Sequence, residues 1–119
     1  MTETDIIDRS ALNNLLAMLD GDTAFLGEMI DEYFNDTPKL LATMRQALTA
    51  QDAASLRRSA HTLKSNSANF GALTLSAQCK ELEELGRIGA LDTAPGLVAQ
   101  IEAEYDKVKP ALQALRPEG

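Results

Sequence analysis

Apolar side chains return along this chain every three or four residues, the period at which one face of an α-helix is buried. Leu12, Leu15, Leu16 and Leu19 mark a first short stripe, with Asp8 or Ser10 placed to cap its start and Asp20-Gly21-Asp22 to end it. A longer stripe passes through Leu26, Met29, Ile30, Tyr33, Thr37, Leu40, Leu41, Met44 and Leu48, starting at a cap from Asp22 or Thr23 and reaching about residue 50. Pro38 removes a backbone donor without breaking the rhythm, so one kinked helix is predicted there, the alternative being a break at Asn35 to Thr37. Asp52 caps a third helix with Leu56, Ala60, Leu63, Ser67 and Phe70 facing inward, and Gly71 suits its left-handed end. Leu73 to Arg87 is a fourth helix, with Leu75, Cys79, Leu82 and Leu85 inward and Lys80, Glu81, Glu83 and Glu84 on the wet side. Gly86, Gly89 and Gly96 with Pro95 mark the next connection. The last helix carries Leu97 or Val98, Ile101, Tyr105, Val108, Leu112 and Leu115, with a kink expected at Pro110 and a frayed end from Arg116 to Gly119.

Four long stripes joined by short turns predict an all-α fold: an antiparallel four-helix bundle with an additional short N-terminal helix acting as a lid. The whole chain, residues 1–119, fits one domain large enough to bury a core without disulfides or metal. Aromatic residues are only 4% against 45% hydrophobic, and Leu and Ala dominate, which favours a helix bundle over a sheet. The single Cys79 has no disulfide partner and falls at core spacing from Leu75 and Leu82. No apolar run is long enough to cross a bilayer and Met1-Thr2-Glu3-Thr4-Asp5 is acidic where a signal peptide is basic, so a cytoplasmic location without membrane association is expected. A net charge of −7 opposes nucleic-acid binding. There is no Gly-rich phosphate loop, no Cys/His cluster for a metal and no second histidine to act as a base.

The chemistry therefore gathers at one residue. His61 is the only histidine, and Arg57, His61, Lys64 and Ala68 share a flank of the third helix next to its apolar face, so the ring is expected in solvent. Lys64 brings an ammonium within reach of anything attached to the ring, while Ser65 and Ala68 leave room for an incoming partner. From Ala53 to Lys80 there is no Asp or Glu, yet Arg57, Arg58, Lys64 and Lys80 are present. A basic window in an acidic protein suits an anion, histidine nitrogen is a covalent nucleophile, and a phosphoryl group fits both.

The run Ala60-His61-Thr62-Leu63-Lys64, small residues after it, and then Ala68-Asn69-Phe70-Gly71-Ala72 resemble the motif of histidine-containing phosphotransfer (HPt) domains. Tyr33-Phe34, Thr37-Pro38, Leu40-Leu41 and Ala47-Leu48 before it, and Leu75, Cys79, Leu82 and Glu83 after it, extend the resemblance over roughly three quarters of the chain. It implies the same bundle, with His61 taking a phosphoryl group from a receiver-domain aspartate and passing it to another receiver. It also implies Lys64 neutralising phosphoryl oxygens, Ser65 where many relatives have glycine, and Glu83 as a polar partner that selects the ring tautomer. The implied partners are receiver domains of response regulators or of a hybrid histidine kinase, which bring Mg²⁺ in their acidic pockets. This chain would be a monomeric carrier, with no cofactor of its own, rather than an enzyme. Docking would use whichever of Leu12, Leu16 and Leu19 stays outside, with the turn near Gly21. Two rivals remain: an inactive docking adaptor of the same shape, and the dimerisation hairpin of a sensor histidine kinase. In the latter an acidic residue and then a proline usually follow the histidine, whereas here Thr62 follows and the next proline is Pro95.

Overall fold

The computed structural model describes residues 6–116 and is built of helices, with no strand among them. Three of the helices begin at aspartate caps, whose side chains accept a hydrogen bond from a first-turn N–H left without a partner in the helix. Asp8 accepts from the Ser10 N–H at 3.0 Å and opens α1, Arg9–Met18. Asp22 accepts from the Phe25 N–H at 3.0 Å and opens α2, Thr23–Ala50. Asp52 accepts from the Ser55 N–H at 3.1 Å and opens α3, Ala53–Asn69. α4, Leu73–Ile88, and α5, Ala94–Leu115, lack a side-chain cap bond. Pro95 lies in the first turn of α5, where its missing N–H costs nothing.

The boundaries correct three expectations. Gly86 lies inside α4 rather than in the connection, which narrows to Gly89–Thr93, and α5 begins at Ala94, ahead of Leu97. Arg116 is not loose, since its guanidinium forks onto Asp31 of α2; residues 117–119 lie outside the described residues. α2 and α5 run unbroken through Pro38 and Pro110. Beside Pro38 the Thr37 hydroxyl donates to the Tyr33 carbonyl at 2.7 Å, one turn back, and burial of that turn against neighbouring helices keeps the helix whole.

α2 packs on α3, α3 on α4, α4 on α5, and α5 returns to α2, giving the four-helix bundle; α1 lies on α3. The core holds the inward stripes read from the sequence, including Ile30, Met44, Leu56, Leu63, Leu75, Leu82, Ile101 and Leu112. Tyr33 ties the helices together at its centre. Its ring meets Phe70 at 5.0 Å and Tyr105 edge-on at 6.0 Å, and its hydroxyl hydrogen-bonds Ser67 Oγ at 2.9 Å, linking α2 to α3. The N-terminal segment is fixed where α3 ends. Gly71 has φ +81°, the Asp8 N–H donates to the Gly71 carbonyl at 2.8 Å, and a Cβ on Gly71 would fall 2.4 Å from the Asp8 carbonyl oxygen. Ile7 beside it is fully buried. Gly71→Ala therefore meets both left-handed strain and backbone collision, and is expected to cost about 2–3 kcal/mol in urea unfolding.

Burial also sets a pH limit. The Cys79 thiol is pushed from its ordinary 9.0 up to about 12, and Tyr33 and Tyr105 are raised above their ordinary 10.0, in each case mainly by burial. Below about pH 8 all three are essentially neutral in the folded and unfolded chains and add no pH dependence. Above it the unfolded chain ionises first and binds fewer protons, so stability falls with rising pH. The urea midpoint is expected to drop steadily between about pH 9 and pH 11; a flat or rising midpoint there would contradict this core.

Candidate functional site

The inward stripe of α3 determines how that helix is turned. Leu56, Ala60, Leu63, Ser67 and Phe70 are all buried, which leaves Arg57, His61, Ser65 and Ala68 exposed on the outer side. His61 keeps 61% of its side-chain surface in solvent. Lys64, on the edge facing α4, is half-buried. The first requirement read from the sequence, an imidazole on a rigid helix and open to an approaching protein, is met.

α4 supplies the partner. His61 Nδ1 lies 2.7 Å from Glu83 Oε2, and Lys64 Nζ donates to Glu83 Oε1 at 2.6 Å, so one carboxylate bridges two residues of α3. Spacing puts Glu83 among the wet residues of α4 while the resemblance implies that it partners the ring; it is half-buried between the two helices, where both His61 and Lys64 meet it. The Lys64 ammonium holds the Glu83 carboxyl below the ordinary carboxylate range, contact with His61 acts in the same direction, and partial shielding from water opposes both. A carboxylate only accepts, so Nδ1 carries the ring proton and Nε2 keeps a free lone pair. Glu83 thus fixes both the orientation and the tautomer of the ring. Lys64 is drawn toward the Nδ1 edge in this resting arrangement. Its backbone is held too, since the Ser76 hydroxyl of α4 donates to the Lys64 carbonyl at 2.9 Å.

Two positions that shape this site were not singled out from the sequence. Gly86 lies one turn beyond Glu83, and a Cβ there would fall 2.9 Å from Arg57 Cβ and 3.0 Å from the Ala53 carbonyl oxygen. The missing side chain lets α4 approach α3 one turn before His61, which brings Glu83 within reach of the ring. A glycine inside a helical pattern was the available signal, because it costs about 1 kcal/mol against alanine and calls for a packing reason. Ser76 carries no such signal. Burial also narrows which of the α1 leucines are open to a partner. Leu12 is buried, and Leu16 and Leu19 are half-buried against the core, while Met18 of α1 and Phe25 of α2 are the large apolar residues left exposed near that end.

With this geometry established, comparison with known proteins identifies the fold and the family. The model of the family described as Hpt domain matches residues 28–111. The chain belongs to the Hpt domain family. Among solved structures, histidine-containing phosphotransfer protein B of Pseudomonas aeruginosa PAO1 is 34% identical with a TM-score of 0.84, covering 93% of this chain and 94% of that one. The HPT domain of an Hpt sensor hybrid histidine kinase from Shewanella, 19% identical with a TM-score of 0.71 over 87% of this chain and 90% of that one, shares the fold. Histidine-containing phosphotransfer protein 2 of Arabidopsis thaliana is 28% identical over 79% of this chain, and multistep phosphorelay regulator 1 of Schizosaccharomyces pombe is 26% identical over 95% of it. The Hpt chain described here spans 62% and 38% of the lengths of those two curated relatives.

The two α4 residues at the site should separate cleanly on mutation. Gly86→Val forces α3 and α4 apart and is expected to cost about 2–3 kcal/mol in chemical denaturation. Glu83→Ala removes a partly exposed bridge and no packing between the helices, and is expected to cost about 1 kcal/mol in the same assay.

Proposed function

We propose that this protein is a phosphoryl carrier of a multistep phosphorelay, with His61 accepting a phosphoryl group from the aspartate of one receiver domain and delivering it to another. The observation that supports this most strongly is the hydrogen bond from His61 Nδ1 to Glu83, which leaves Nε2 nucleophilic on an exposed ring. Membership of the Hpt family favours this reading over a histidine-kinase dimerisation hairpin. The ring–carboxylate pair favours a working carrier over an inactive adaptor, since docking alone has no use for a fixed tautomer.

In the accepting step the Nε2 lone pair forms the N–P bond as the bond from phosphorus to the aspartyl oxygen breaks, and the aspartate leaves as a carboxylate. The ring keeps its Nδ1 proton and becomes a phosphoimidazolium whose positive charge lies against Glu83. In the delivering step the N–P bond breaks toward Nε2, and the neutral ring returns with the same tautomer. No proton has to move. Lys64 is one turn from His61 and can exchange Glu83 for a phosphoryl oxygen, compensating charge from the other side. Ser65 and Ala68 leave the approach open, and Arg57 adds positive charge. Mg²⁺ belongs to the receiver's acidic pocket in this scheme, and the carrier works as a cytoplasmic monomer alongside its receivers.

A labelled phospho-receiver with Mg²⁺ is expected to transfer label to the wild-type protein in acid-labile, base-stable form. His61→Gln should abolish the transfer with helical circular dichroism unchanged, and Glu83→Gln should slow it about tenfold, the effect of losing one charge-assisted hydrogen bond. Equal labelling of wild type and His61→Gln would remove His61 from the mechanism. ATP alone should give no label, and efficient labelling by ATP would favour a kinase.

A further inference from the structure

Three of the six arginines are held by carboxylates of this chain. Arg45 pairs with Glu102, Arg87 with Glu84 and Arg116 with Asp31, each through two guanidinium nitrogens. Arg57 and Arg58 are exposed on α3, and neither has a carboxylate within 4.0 Å among the described residues. Carboxylates are not scarce, with 18 acidic residues against 11 basic. Arg57, Arg58 and Arg87 line a depression of about 480 Å³ between the first turns of α3 and the last turn of α4. Ile88, an apolar side chain that is 57% exposed, lies in the same lining. The depression adjoins a second one lined by Lys64, Lys80, Glu81, Glu83 and Glu84, and the two share Arg57 and Arg87, so cations outnumber carboxylates along both. One trough therefore runs from the arginines to the groups that hold His61.

Resting on the phosphotransfer reading, we propose that Arg58 and Ile88, beside Arg57 and Arg87, form the specificity-determining half of the docking surface. Its occupant is a receiver domain that sets acidic side chains against Arg57 and Arg58 and an apolar side chain on Ile88 while its aspartate reaches His61. Reach requires this overlap: Arg58 is three residues before His61, about 4.5 Å along the helix axis, and a specific interface covers about 800 Å² on each partner. Charge selects the occupant. The chain carries −7 and repels acidic proteins elsewhere, so this local cationic patch is where an acidic partner can land, and complementarity of this kind acts on encounter rate and on rejection of wrong partners.

The test charges the whole protein on His61 with potassium phosphoramidate, whose P–N bond breaks with loss of ammonia. Discharge is then measured to each purified receiver domain of the source genome with Mg²⁺, for wild type, Arg58→Glu and Ile88→Asp. The KM for the fastest receiver is expected to rise about tenfold in each variant with kcat within about twofold, and Arg58→Glu should flatten the salt dependence of kcat/KM. The rate of chemical charging and the circular dichroism should not change. An unaltered KM and salt slope in both variants, with His61 still charging and discharging, would overturn the docking surface and leave the phosphotransfer reading intact. A His61 that neither charges nor discharges to any receiver would overturn both.

Discussion

The rotation of α3 about its own axis is the constraint on which the site depends. Five inward residues, Leu56, Ala60, Leu63, Ser67 and Phe70, are buried at spacings of four, three, four and three, so turning the helix by one position would expose apolar surface and drive charge into the core. Tyr33 adds direction to what apolar packing leaves general. Its hydroxyl meets Ser67 Oγ and its ring meets Phe70, so both the turn and the height of α3 against α2 are fixed by buried contacts. His61 is outside because everything opposite it must be inside.

Rotation alone does not produce the pair with Glu83; the spacing between α3 and α4 must also be short. Gly86 permits that approach one turn from Glu83, and the Ser76 hydroxyl bonded to the Lys64 carbonyl holds the helices on the other side of it. The carboxylate is thereby shared between a ring N–H and an ammonium, each of which keeps it charged. The resting site is self-neutralising at its Nδ1 edge and open at Nε2. An imidazole with one nitrogen bonded and the other open is thus held in place by packing, and it is the only histidine in the chain.

Much of this was legible from spacing. The α3 stripe, the exposure of His61 and Ala68, the aspartate caps at residues 22 and 52 and the continuity of α2 through Pro38 follow from periodicity and capping chemistry, which are local. What escaped was non-local. The resemblance implied Glu83 as the ring's partner, but spacing alone put it with the wet residues, because the choice depends on how closely two helices approach, a distance set by Gly86 against Arg57, residues 29 positions apart in sequence. Which leucines of α1 remain free to dock depended likewise on how α1 lies over α3, and it is Met18, outside the apolar stripe, that stays exposed. Arg116 looked like part of a loose tail because nothing near it in sequence reveals Asp31 across the bundle.

The most direct measurement of the central claim is the tautomer of His61 by ¹⁵N NMR of the imidazole at a pH where the ring is neutral. The account requires a protonated Nδ1 and an unprotonated Nε2 in the wild type, with this preference weakened in Glu83→Gln. A ring protonated on Nε2, or one whose nitrogens respond identically with and without the Glu83 carboxylate, would contradict it.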